Sequence, residues 1–527
     1  MVDSLGTPGK LKNNSGSCDA KSRLFFSFSA QILSIVSRVA VQLISIPICL
    51  RGWGVGLYQD WILICSASGF LSALDLGMQT YFGNRLLAAW SRRDHAGYRR
   101  SLATALGLYS LVLGSSVVAL AVLMFLVPWP SLLGIMVLSA ADVLWALSLL
   151  SAATLILIPI GLFTAVYRAR GEYGLSTASG AIGEAARGLA VVLVVVCGGG
   201  PVPAAASFLL VAGVFGSVVL WDQERRYGGA PILPELPNAV EFAEAMSQSG
   251  RYLVAGLVTP ILLNAPILLL GRLASATGAV VAYSVFRTLT GVGRQVVAQL
   301  SHAVGGELGH RHSLMDVSGT AALLSHAGRL VSGLGGLLCG AILVLGDPFI
   351  VAWTHGQVAY DYWLCLAFLA PIMIASPAQV VYMVYHYTNR PTILVLAGCL
   401  QVLMTLVLCL VLISPFSAAG AALACAVGEC LSLGLLLPIV ASRNLGMPVS
   451  RYFRDCLALA AGCFVLSIAV SLALTTLLPV RGYVDIAIIG LLWSTIVAFP
   501  AFRMLLSVPQ RDWVIGQLRA GRDRFSR

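Results

Sequence analysis

The stretch LFFSFSAQILSIVSRVAVQLISIPICL, residues 24–50, decides the fold class. A helix needs about 20 predominantly apolar residues to cross the hydrocarbon core of a bilayer, and this run exceeds that length with one charge inside it, Arg38. Its polar residues are not scattered. Ser27, Gln31, Ser34, Arg38, Gln42 and Ser45 recur every three or four positions and so fall on one face of a helix. The run reads as a membrane span whose polar stripe faces protein or water.

Similar runs follow to Leu506. The chain of 527 residues is 58% hydrophobic and 10% charged, against roughly 25% charged in a soluble domain, which excludes an ordinary soluble protein. The spans fall at about 24–50, 61–84, 101–127, 149–167, 175–197, 203–221, 250–271, 278–301, 321–345, 362–387, 392–413, 417–441, 456–478 and 483–506. The expectation is an all-α polytopic membrane protein with about fourteen transmembrane helices. Residues 131–148 are apolar but carry Asp142, and they read as an interfacial helix with Trp129 and Trp145 at headgroup level.

The net charge of +11 is explained by position. With a cytoplasmic N-terminus, 26 of the 33 basic residues fall in the inner segments, and only Arg51, Arg272 and Arg481 fall outside. That bias places both termini in the cytoplasm and requires an even number of spans. It leaves nothing to suggest a nucleic-acid partner. Residues 1–23 read as a disordered cytoplasmic tail, 24–221 as an N-lobe of six helices, 222–249 as a cytoplasmic linker, 250–441 as a C-lobe of six helices, 442–506 as two further helices and 507–527 as a basic tail. A weak repeat supports the lobes: Ser91, Asp94 and Leu102 recur as Ser313, Asp316 and Leu324 after the second helix of each half. Eleven of the twelve cysteines lie in or beside apolar segments without CxxC spacing or nearby histidines, as small buried hydrophobes do.

Seven ionisable residues lie where lipid should be: Arg38, Asp75, Glu184, Arg187, Arg287, Arg294 and Glu429. Each costs at least ~2.5 to 3.5 kcal/mol near the bilayer centre, so each should face protein or water. Asp75 shares a stripe with Ser68, Ser72 and Gln79, and Arg287 and Arg294 share one with Ser284, Gly291, Ala298 and Ser301. Glu184 and Arg187, three apart, can satisfy each other. Arg38 and Asp75 lie within ~6 Å in height on consecutive antiparallel helices, which allows them to pair. Glu429 could answer an arginine from elsewhere in the bundle. Setting aside the local pair leaves three arginines against two acids, a mildly basic interior suited to phosphate oxygens. Arg38, Arg287 and Arg294 are the candidate substrate ligands, with Asp75, Glu184, Arg187 and Glu429 as coupling or pairing residues. Motifs for a cofactor, a metal or a catalytic group are lacking.

The most specific stretch is GVGLYQDWILICSASGFLSALDLGMQTYFGNRL at 54–86. Here the chain resembles the polysaccharide and O-antigen flippases of the multidrug/oligosaccharidyl-lipid/polysaccharide exporter superfamily, with Tyr58, Trp61, Asp75, Gly77 and Arg85 at the matching positions. The resemblance extends over the whole chain in helix number and lobed arrangement. It implies transfer of an undecaprenyl-diphosphate-linked oligosaccharide across the bacterial inner membrane, by alternating access through a cationic cavity, beside the polymerase and chain-length proteins of the same pathway. Drug-exporting relatives typically carry an acid in the first helix where this chain has Arg38. Flippases for lipid-linked peptidoglycan precursors and multidrug exporters remain alternatives. A membrane glycan polymerase or ligase would want a large outer loop, and the outer segments here are short.

Overall fold

The computed structural model describes residues 15–227, 234–235, 239–274, 276–314, 316–388, 391–478, 480, 482–505 and 511. These residues are built from helices: α1 Ser15–Gly69, α2 Met78–Ser91, α3 His95–Leu126, α4 Trp129–Leu133, α5 Ala140–Ala169, α6 Tyr173–Val196, α7 Pro201–Tyr227, α8 Ala239–Leu273, α9 Ala279–Ser313, α10 Val317–Trp353, α11 Tyr362–Ile374, α12 Ser376–Tyr387, α13 Pro391–Glu429, α14 Leu437–Asn444, α15 Val449–Leu477 and α16 Tyr483–Leu505. A 3₁₀ turn, Phe70–Asp75, precedes α2, and a π turn, Cys430–Leu436, joins α13 to α14.

Among the described residues ten helical runs are long and apolar enough to cross a membrane, and the pair α11 and α12, bent by 51°, makes an eleventh. Two of the runs, Ser29–Ser91 and Thr392–Asn444, are far too long for one pass of a ~30 Å core at ~1.5 Å per residue. Non-helical residues divide them, Gly54 at φ 71° and Ser417 at φ 50°. With α9, long but more polar, the described helices trace the fourteen expected passes. The bundle α1–α7 packs mainly on itself, as does α8–α14, while α15 lies along α10 and α16 along α15. We call the two bundles the N-lobe and the C-lobe.

Local chemistry explains several joints. Asp94 and Asp316 each cap the helix that follows, accepting from the backbone N–H of Gly97 and Gly319 at 2.8 Å. A side chain at either glycine would collide with the capping carboxylate, so the repeat seen in the sequence marks two equivalent Asp-x-x-Gly caps. Helix α15 reaches α10 through Gly336 and Gly340, where an added Cβ would meet the backbone of Ala460 and Phe464. Ser467 confirms that closeness by donating to the Leu337 carbonyl at 2.7 Å. At the basic end of the N-lobe the Arg170 guanidinium sits 4.3 Å from the Trp90 ring centre and 3.9 Å from that of Tyr227. That stacking ties the ends of α2, α5 and α7 together.

Three boundaries differ from expectation. Residues 131–148 do not form one interfacial helix: α4 ends at Leu133, and α5 already starts at Ala140, capped by Ser139 through the Asp142 N–H. Helix α1 begins at Ser15, inside the expected tail. The expected linker is shortened from both sides, since α7 continues to Tyr227 and α8 starts at Ala239. Most of the expected 507–527 tail lies outside the described residues.

Candidate functional site

The polar stripe on the first pass places Arg38 beside α6. Its Nε donates to Glu184 Oε2 at 3.2 Å, and Nη2 reaches the same oxygen at 3.2 Å. The two side chains are 46% and 48% exposed. An ion pair that wet is worth ~0 to 1 kcal/mol. Arg38 therefore pairs with Glu184, not with Asp75. Nor does Glu184 satisfy Arg187, three residues on. The Arg187 guanidinium instead lies 5.6 and 5.9 Å from the ring centres of Phe208 and Phe215 on α7, and its Nη1 is buried without a hydrogen-bond partner.

Asp75 ends the 3₁₀ turn that breaks the second pass. After it Leu76 (φ 51°) and Gly77 (φ 72°) adopt left-handed backbone, which glycine tolerates freely and leucine does not. The carboxylate accepts from the Gln79 N–H at 3.3 Å, at the start of α2, and from the Tyr109 hydroxyl at 2.6 Å. Its negative charge thus sits at a helix N-terminus, where the exposed N–H groups and the helix dipole favour it. The Leu-Asp-Leu-Gly motif is a break and a new start within a span.

In the C-lobe, Arg294 on α9 meets Glu429 at the end of α13. One guanidinium nitrogen reaches both carboxylate oxygens, at 2.7 Å for Oε1. Glu429 is only 9% exposed while Arg294 is 41% exposed. The π turn starts at the next residue, Cys430, and widens the helix there. Arg287, two turns before Arg294, is different. Its Nη1 donates to the Leu263 carbonyl at 2.7 Å, and its guanidinium lies 5.7 Å from the Tyr283 ring centre. Among the described residues no acidic side chain forms an ion pair with Arg287.

Two residues missed in the sequence reading lie where the lobes meet. Asp60 is fully buried and accepts from the backbone N–H groups of Met136, Val137 and Leu138 at 3.0, 2.8 and 2.9 Å. Beside it Gln59 Oε1 accepts from the Gly278 N–H of the C-lobe at 2.8 Å. Trp353 on α10 donates to the Leu43 carbonyl at 2.7 Å, and the backbones at Gly134 and Gly271 leave no room for side chains. These contacts share the end that carries few basic residues, so the lobes are joined there. The available signal was a Gln-Asp pair at a span boundary, which resembles ordinary loop polarity.

Protein-family models and curated proteins yield no match to the sequence. Solved structures do match in fold. One is a lipid II flippase, MurJ, in an inward closed conformation, with a TM-score of 0.70 at 12% identity over 92% of this chain and 100% of that one. A multidrug resistance MATE family transporter of the MOP superfamily matches with 0.60 in an inward-facing conformation, at 13% identity over 79% of this chain and 95% of that one. An outward-facing MATE conformation scores 0.51 at 13% identity over 82% and 96%. The fold is that of these transporters.

Proposed function

We propose that this protein is a flippase for a lipid-linked oligosaccharide carried on undecaprenyl diphosphate, an O-antigen or exopolysaccharide repeat unit. On this reading it works in the bacterial cytoplasmic membrane, with its basic end in the cytoplasm. The observation that carries the proposal is Arg287, an interior guanidinium answered by a carbonyl and an aromatic face instead of an acid. A fork of charged N–H donors suits phosphate oxygens. The same surplus of positive charge disfavours a cationic drug.

The fold allows a physical sequence of steps. With the lobes joined at the basic-poor end, the substrate enters from the basic end and its diphosphate engages Arg287 and Arg38. Arg294 supports the site indirectly, because Glu429 neutralises it. Rocking of the lobes, with release of Gln59 from Gly278, then opens the opposite end. Export would place the glycan where polymerase and chain-length proteins act. A lipid-linked peptidoglycan precursor is the second reading, favoured by the match over the full length of the lipid II flippase. Both substrates contain a diphosphate, so Arg287 serves either.

The test is complementation of two strains, one lacking its O-antigen flippase and one lacking its peptidoglycan precursor flippase. Arg287→Gln should cut export about tenfold or more at unchanged membrane abundance, since a charge-assisted hydrogen bond is lost, and Arg287→Lys should keep part of it. Full export by Arg287→Gln overturns the reading. The strain that is rescued identifies the glycan class.

A further inference from the structure

We propose that Glu184 is a placeholder for the substrate phosphate: it holds Arg38 in the empty transporter and moves to Arg187 when the diphosphate takes Arg38. This rests on the flippase reading above. It adds a role for two residues which that reading leaves idle.

Three observations converge. First, the Arg38–Glu184 contact is of a kind that a ligand can displace, because both nearby nitrogens, Nε and Nη2, address one oxygen and both side chains are about half exposed. A phosphate offers more acceptor oxygens to the same guanidinium. Second, Arg187 has a buried N–H with no acceptor. A buried donor without an acceptor is costly, and it is better tolerated if a partner arrives in another state. Third, residues three apart on a helix are neighbours, with Cβ atoms ~5 to 6 Å apart, so a rotamer change carries Glu184 from one arginine toward the other without moving the backbone.

The exchange conserves charge. Before binding, Glu184 neutralises Arg38 and Arg187 lacks a carboxylate; afterwards the phosphate neutralises Arg38 and Glu184 neutralises Arg187. It serves both halves of the cycle. Arg38 is screened while empty, and on the far side the returning carboxylate competes with the phosphate and speeds its release. Arg187 is then a positioning residue that never touches substrate.

The test uses the purified full-length protein in detergent and farnesyl diphosphate as probe, titrated calorimetrically. Glu184→Gln should bind about fivefold tighter, and Arg187→Gln about threefold weaker, as loss of a competitor and of its resting place require. In the Glu184→Gln background Arg187→Gln should have no further effect, because both act through one movement. Arg187→Lys, which keeps the charge, should bind like wild type. Melting temperatures recorded alongside separate a folding defect, which would persist in both backgrounds. Equal affinity of wild type and Glu184→Gln, or additive effects of the two substitutions, overturns the placeholder while leaving the flippase reading intact. No binding of the probe to the wild-type protein overturns both.

Discussion

In the C-lobe, Glu429 takes Arg294 on both carboxylate oxygens and is nearly enclosed, whereas in the N-lobe Glu184 gives one oxygen to Arg38 and both partners are about half exposed. The residue types are the same and the surroundings differ. An enclosed carboxylate without its cation is an uncompensated buried charge; a wet one is rehydrated at little cost. The C-lobe pair is therefore an anchor between α9 and α13, and the N-lobe pair is an exchangeable contact.

The largest effect should come from Arg294→Met, which strands the enclosed Glu429. We expect a loss of ~3 kcal/mol or more and a sharp fall in membrane abundance, with recovery when Arg294→Met and Glu429→Leu are combined. Normal abundance of the single variant would mean that enclosure does not make this pair an anchor. Asp60→Ala comes next, at ~2 to 3 kcal/mol, because three backbone donors lose a charged acceptor. Thermal melting in detergent would measure it, with Asp60→Asn intermediate. Since Asp60 is in the N-lobe, a small effect there would show that the lobe, and not enclosure, decides the cost.

Tyr109→Phe should cost ~1 to 2 kcal/mol by removing the hydroxyl from Asp75. The exchange Arg38→Asp with Asp75→Arg should not restore the abundance lost in Asp75→Arg alone, because the two residues do not meet; restoration in immunoblots of membranes would bring back that pairing. The smallest effect is expected for Glu184→Ala, within ~1 kcal/mol of wild type in melting. A loss as large as that of Arg294→Met would erase the contrast between the lobes.

Much of the fold was legible because hydropathy and period are properties of contiguous sequence. The passes could be counted from apolar runs, and the Asp94 and Asp316 equivalence surfaced from placement alone although its cause, a shared cap on a glycine N–H, did not. The closeness of α10 and α15 had a readable signal in Gly336 and Gly340. Residues 131–148 misled because an apolar stretch with one acid fits an interfacial helix as well as it fits a short helix, a turn and a helix start. The candidate site was legible as a set of residues and not as a set of pairs. Spacing favoured Glu184 with Arg187, and height favoured Arg38 with Asp75.

The all-helical membrane architecture and the seven ionisable residues within its expected spans were readable from the chain alone, because transfer into lipid tests every residue in place, one helix at a time. Which guanidinium meets which carboxylate emerges when the helices pack together. A long side chain on one helix can reach partners on several neighbours, and the choice depends on how each helix is rotated, where it is broken, as at Asp75, and where it is widened, as after Glu429. Those rotations follow from packing along whole interfaces, so the pairing of Arg38 with Glu184, the bond of Arg287 to the Leu263 carbonyl and the burial of Asp60 appear only when the helices are brought together.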